Sequence, residues 1–124
     1  MARGNILIAE DDPVLRNLYV KKFTVAEFSI RTAADGEEAI AAITASAPDL
    51  LILDIHMPKV DGFGVLEKFP KETRNFPVII LSNFADEKYK RRGQELGADD
   101  YFIKKDMTIR SLFDMAEKLL AARR

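Results

Sequence analysis

Four short apolar runs, at residues 6–9, 50–53, 78–81 and 101–103, are continuous rather than alternating. Such runs, rich in Ile, Val and Leu, fit strands buried on both faces, as in a parallel sheet. Residues 28–33 are less apolar and predict a strand nearer an edge. The segments between carry a helical period instead. Asp12-Pro13 opens the first: an acidic cap, then proline where a missing N–H costs nothing. Val14, Leu15, Leu18, Tyr19 and Phe23 recur behind it at helical spacing and predict its apolar face. Asp35-Gly36-Glu37-Glu38 reads as a capping box, Ala39, Ile40 and Ile43 as the following stripe, and Pro48 as its stop. A third helix is expected over residues 63–69, ending at Pro70, and a fourth over about 86–96, with Gly97 after its end. The last, over about 109–122, aligns Leu112, Phe113, Ala116, Leu119 and Leu120. Strand and helix thus alternate about five times, which predicts an open α/β parallel sheet with helices on both faces and right-handed crossovers.

Composition narrows this to one domain over residues 1–124, with no internal repeat and no linker. Zero cysteines exclude disulfides, thiolate metal sites and cysteine nucleophiles, and His56 as the sole histidine excludes a multi-histidine metal site. Nineteen basic against twenty acidic groups give a net charge of −1, so no global field favours nucleic acid or an anionic membrane. No apolar stretch approaches the ~18 residues of a membrane span, and the amino terminus lacks a signal-peptide pattern, so the expected location is cytoplasmic.

In doubly wound sheets the site lies beyond the carboxyl ends of the strands, where strand order reverses. Glu10, Asp11 and Asp12 follow the first run, Asp54 the third, Ser82 the fourth and Lys104 the fifth. Were strands one and three to flank the reversal, their carboxylates would face one another and repel. A divalent cation removes that conflict, and an all-oxygen donor set suits Mg²⁺. Asp54 can then serve as a nucleophile forming an acyl phosphate, with Lys104 and Ser82 offering a charge and a hydroxyl to the phosphoryl oxygens.

The stretches Ile6-Leu7-Ile8-Ala9-Glu10-Asp11-Asp12-Pro13, Leu53-Asp54-Ile55-His56-Met57-Pro58-Lys59-Val60-Asp61-Gly62, Ile80-Leu81-Ser82 and Gly97-Ala98-Asp99-Asp100-Tyr101-Phe102-Ile103-Lys104 resemble the receiver domain of two-component response regulators, of the chemotaxis-regulator kind. The resemblance covers essentially the whole chain and implies a flavodoxin-like doubly wound sheet of five parallel strands, order 2-1-3-4-5, with five helices. It implies that Asp54 accepts a phosphoryl group from a phosphohistidine on a histidine kinase or histidine phosphotransfer protein. Asp11, Asp54 and the His56 carbonyl would ligate Mg²⁺, and Glu10 would act through water. Ser82 and Lys104 would bind the phosphoryl group, and Tyr101 would turn inward as Ser82 moves. The surface of helix 4, strand 5 and helix 5 would then report the state to a downstream protein target or an output domain. The domain would signal, catalysing only its own phosphorylation and dephosphorylation. No output domain is expected within these residues, no direct nucleic-acid contact is implied, and a homodimer is left open.

The chain departs from the family pattern in places. Lys105 and Asp106 follow Lys104 where a proline is usual, so this loop is expected to be trans or differently shaped. Asn83 stands where a small residue is usual, with apolar Phe84 beside it, and both are expected to slow phosphoaspartate hydrolysis. Other residues have plainer readings: His56 as a surface side chain whose backbone alone matters, Asp61-Gly62 as a turn, Met57-Pro58 as loop shaping. Lys88, Lys90, Arg91 and Arg92 read as a solvated helix face or part of a docking surface, and Arg123-Arg124 as a helix end. Three other functions compete. A Mg²⁺-dependent phosphohydrolase would share Asp54 but carry a second acid where His56 stands, and would need a substrate pocket. A nucleotide or flavin module needs a glycine- or hydroxyl-rich first loop, which here is acidic. A pure binding pseudo-receiver would have no use for the complete acid, hydroxyl and lysine set.

Overall fold

The computed structural model describes residues 3–122. Five strands and five helices alternate: β1 (Asn5–Ala9), α1 (Pro13–Val25), β2 (Ser29–Ala33), α2 (Gly36–Ala45), β3 (Leu50–Asp54), α3 (Gly62–Lys68), β4 (Val78–Ser82), α4 (Glu87–Glu95), β5 (Asp100–Ile103) and α5 (Ile109–Ala122). The strands are parallel in the order β2-β1-β3-β4-β5, so the direction of winding reverses between β1 and β3, as expected.

Three of the four continuous apolar runs have the anticipated cause, whereas β5, at the edge of the sheet, is only half-buried. In β1, Leu7 and Ala9 face one core with Leu51, Leu53, Val78 and Ile80 of β3 and β4, beneath Ala39 and Ile43 of α2 and Val65 and Leu66 of α3. Ile6 and Ile8 face the other, with Leu50, Ile52, Ile79 and Leu81, beneath Tyr19 and Phe23 of α1 and Leu112 and Ala116 of α5. Both faces are therefore dry, and each fully buried Leu or Ile contributes roughly 1.5–3 kcal/mol. This packing fixes the strand register, and with it the height at which each strand presents its last residue.

Helix starts follow the cap chemistry. Asp12 accepts from the N–H groups of Val14 and Leu15, and Asp35 from that of Glu38. Glu38 reaches back to the N–H of Ala34, one residue before the position a capping box uses. Several expectations need correction. Asp61-Gly62 is a helix start, since Asp61 caps α3 through the N–H of Gly64. Met57 is buried in the core under the sheet rather than only shaping its loop. Val14 and Leu18 are 74% and 50% exposed. Tyr19 and Phe23 point into the core, and at about 100° per residue positions 18 and 14 lie about 100° and about 140° around the helix from Tyr19, on its outer side. Strand β2 begins at Ser29, one residue after the buried Phe28. Arg123 and Arg124 lie outside the described residues. Among the described residues, no helix is long and apolar enough to cross a membrane.

Candidate functional site

Four strands deliver the site. Asp54 and Ser82 are the last residues of β3 and β4 rather than the first beyond them, and both are buried. The sheet ladder continues past them: the Lys104 N–H donates to the Ser82 carbonyl at 2.7 Å, and the Glu10 N–H to that of Ala33 at 3.0 Å. These bonds hold the residue after β5 level with the end of β4, and the residue after β1 level with the end of β2. Arg16 of α1 adds a guanidinium bond to the Glu10 carbonyl at 2.9 Å.

Carboxylate oxygens of Glu10, Asp11 and Asp54 all lie within 4.8 Å of one another. Glu10 and Asp54 are buried, whereas Asp11 is exposed and opens the group to solvent. Asp12, adjacent in sequence, is spent on capping α1. Lys104 Nζ lies 2.7 Å from Glu10 Oε1 and 3.2 Å from Asp54 Oδ2. Glu10 Oε2 accepts the Asp12 N–H at 3.1 Å, and buried Oε1 pairs with the Lys104 ammonium. Asp54 Oδ1 accepts the His56 N–H at 3.3 Å.

Burial pushes the Glu10 carboxyl up to about 7; the Lys104 bond opposes this and the Asp54 charge reinforces it. Burial also raises Asp54, against the pull of Lys104. Lys104 would be lowered by burial, but its bonds and attraction to Glu10 and Asp54 outweigh that and raise it. Two buried acids sharing one ammonium are therefore one positive charge short. Three converging carboxylates, two of them buried and sharing one ammonium, fit a hard divalent cation.

Ser82 Oγ accepts the Phe84 N–H at 3.0 Å and lies 3.5 Å from His56 Nε2. The Tyr101 hydroxyl donates to the Phe84 carbonyl at 3.3 Å, so one peptide segment joins both residues. The structure thus gathers Glu10, Asp11, Asp54 and Lys104 around one point, and links Ser82 at the end of β4 to Tyr101 through Phe84. It corrects the plain reading of His56. The ring is half-buried, edge-on to Phe84 at 4.8 Å and to Tyr89 at 5.5 Å. Sequence reasoning missed Tyr89, Phe63 and Arg16, because no spacing rule links a helix aromatic to a loop histidine. No peptide among the described residues is cis, and Lys104 leads into a turn in which the Asp106 N–H bonds the Ile103 carbonyl at 3.0 Å. On α4, Lys88, Lys90 and Arg91 are exposed and Arg92 pairs with Glu67 at 2.8 Å. A cleft of about 320 Å³ lined by Lys71, Arg74 and Asp99 lies at the opposite end of the sheet, where Arg74 is engaged by the carbonyls of Phe69, Leu96 and Gly97.

Residues 6–117 match the family model for the response regulator receiver domain. The probable transcriptional regulator ycf27 of Cyanidium caldarium is 42% identical over 100 residues, which are 81% of this chain and 40% of that protein. The gliding motility regulatory protein of Myxococcus xanthus is 35% identical over 94% of this chain and 15% of its own length. The chain thus spans two-fifths to half the length of the ycf27 relatives it matches. Among solved structures, a Francisella response regulator receiver domain superposes with a TM-score of 0.91 at 30% identity, over 98% of this chain and 100% of that one. A CheY-like receiver protein from Methanospirillum hungatei gives 0.89 at 24% identity, over 96% and 94%, and supports the fold. With its strand order, its acidic site and these likenesses together, the chain belongs to the response regulator receiver domain family.

Proposed function

We propose that this receiver domain accepts a phosphoryl group on Asp54 from a phosphohistidine donor, with Asp11, Asp54 and the His56 carbonyl as ligands for Mg²⁺ and Glu10 acting through water. The observation carrying this reading is the convergence of the Glu10, Asp11 and Asp54 oxygens within 4.8 Å beside the Lys104 ammonium. When bound, the cation neutralises charge developing on the phosphoryl oxygens. An Asp54 oxygen attacks phosphorus as the P–N bond to the donor imidazole breaks; a P–O bond forms, and the leaving imidazole takes up a proton. Lys104 exchanges a carboxylate partner for a phosphoryl oxygen, and the Ser82 hydroxyl donates to another. Ser82 carries Phe84 with it through their 3.0 Å bond, which withdraws the acceptor that holds the Tyr101 hydroxyl. Tyr101 then turns inward, and the surface of α4, β5 and α5 changes for a downstream protein or an attached output domain. Exposed Val14 and Leu18 on the opening turns of α1, close to Asp11, offer the donor protein an apolar landing surface.

The test is incubation with Mg²⁺ and acetyl phosphate, followed by intact-mass measurement. A gain of one phosphoryl group, absent in Asp54→Ala and after chelation, is expected. An unmodified wild-type chain overturns the reading.

A further inference from the structure

At the rim of the site, four aromatic side chains meet in a way the receiver chemistry above does not use. The His56 ring stands edge-on to Phe84 (4.8 Å, 86°) and to Tyr89 (5.5 Å, 83°). Tyr89, on the first turn of α4, stacks on Phe84 (5.9 Å, 19°) and on Phe63 at the start of α3 (5.9 Å, 12°). Edge-on and offset-stacked pairs at these separations are attractive. The imidazole is thus fixed between two rings, and its Nε2 is directed at Ser82 Oγ, 3.5 Å away.

We propose that the His56 side chain is a positioning residue for the Ser82 hydroxyl, and that Phe84 and Tyr89 make it a second route from the phosphoacceptor site to α4, beside the route through Tyr101. A serine hydroxyl has one proton. With the imidazole protonated on Nδ1, that proton is given to Nε2 and is withheld from a phosphoryl oxygen. When Ser82 turns to donate to the phosphoryl group, the imidazole loses its partner. Phe84 then moves through its own bond to Ser82, so the stacked Phe84 ring and the edge-on His56 ring against Tyr89 shift together. Helix α4 is otherwise tied to this rim only lightly: the residues between β4 and α4, Asn83 to Asp86, are all exposed. The aromatic contacts therefore make its first turn responsive to the site. The Ser82–Tyr101 route reports to β5, and the His56–Tyr89 route reports to the start of α4.

This inference rests on Asp54 being the phosphoacceptor, and the experiment separates the two. The whole chain is treated with Mg²⁺ and acetyl phosphate. Occupancy is counted by intact mass, and amide NMR follows the first turn of α4 and Tyr101. His56 is the sole histidine, so its ring protons give unambiguous signals. In the wild type, phosphorylation is expected to move the His56 ring signals and both sets of amides. In Tyr89→Leu, occupancy and the Tyr101 response should persist, while the response of the α4 turn falls about two- to ten-fold, the population change one aromatic pair can carry. Tyr89→Phe, which keeps the ring, should restore it, and in His56→Leu the response of the α4 turn should fall likewise. An α4 response in Tyr89→Leu equal to the wild type overturns the second route and leaves the phosphoacceptor reading standing. No mass gain in the wild type overturns both.

Discussion

The Lys104 ammonium lies nearer to Glu10, at 2.7 Å, than to Asp54, at 3.2 Å, and both acids are almost fully buried. One cation thus compensates two carboxylates, and the acid thought to act only through water holds it more closely. Removing one partner of a buried pair typically costs about 3–5 kcal/mol. Here the loss should be smaller, about 2 kcal/mol, because Glu10 already binds protons near neutrality and can discharge itself. Lys104→Met is therefore expected to unfold at lower urea at pH 7.5 in EDTA, and to recover much of the difference in Mg²⁺. A midpoint equal to the wild type in EDTA would show that the pairing contributes nothing.

The same acids set a pH dependence. Glu10 rises from its ordinary 4.5 to about 7 on folding, chiefly through burial, and Asp54 is raised in the same sense. Between those values the folded chain binds more protons than the unfolded one, so stability falls as pH rises. Lys104, raised in the fold, acts in the alkaline range and leaves this window alone. The metal-free domain should thus lose thermal stability from about pH 5 to pH 7. Glu10→Gln should flatten that slope, and Mg²⁺ should stabilise most at the upper end. A wild-type stability that rises through the window would contradict the assignment.

Much of this architecture can be read in the residues, for reasons that differ by element. Runs such as Leu50-Leu51-Ile52-Leu53 face two cores at once, a demand that few patterns other than a central parallel strand satisfy. Asp12, Asp35 and Asp86 announce helix starts because a carboxylate two or three residues before free N–H groups has an obvious partner. The site residues are legible for a related reason: each is the first polar group at the end of an apolar run. Side chains that act across elements are not. The setting of His56 depends on where α4 brings Tyr89, and Val14 and Leu18 share the spacing of Tyr19 and Phe23 yet face outward. Periodicity defines a stripe on a helix but not its exact width.

Backbone closeness beside Asp54 yields another expectation. The Gly62 N–H bonds the Ile55 carbonyl at 2.9 Å, and a Cβ at Gly62 would fall 2.6 Å from the Asp54 carbonyl oxygen and 2.8 Å from the Ile55 Cα. Backbone cannot yield as a flexible side chain does, so Gly62→Ala must displace the segment that carries the acid. Overpacking of this kind costs about 1–3 kcal/mol. Its strain falls beside Asp54, so phosphoryl uptake from acetyl phosphate should slow even at temperatures where the variant is fully folded. Gly64→Ala provides the contrast, since the nearest atom to its Cβ is the end of the Val60 side chain, at 2.6 Å. Equal uptake rates in the two folded variants would remove the argument.

The rim residue Phe84 bears on how long the phosphoryl group persists. Its ring is 51% exposed, and it leans on the His56 imidazole rather than folding away from the site. Hydrolysis requires water to attack phosphorus in line with the bond to Asp54, so that a P–O bond to water forms as the P–O bond to the acid breaks. An apolar ring at the approach offers that water no hydrogen bond. Phe84→Glu supplies an acceptor and should speed phosphate loss by ~10-fold, below the full 10²–10⁴ of a positioned acid–base group because the new side chain is mobile. Phe84→Leu, apolar but no longer aromatic, should keep a lifetime close to the wild type, separating the orientation of water from the loss of ring contacts. Phosphate release measured after removal of the donor decides the matter: equal lifetimes in the wild type and Phe84→Glu would mean that the rim does not govern access.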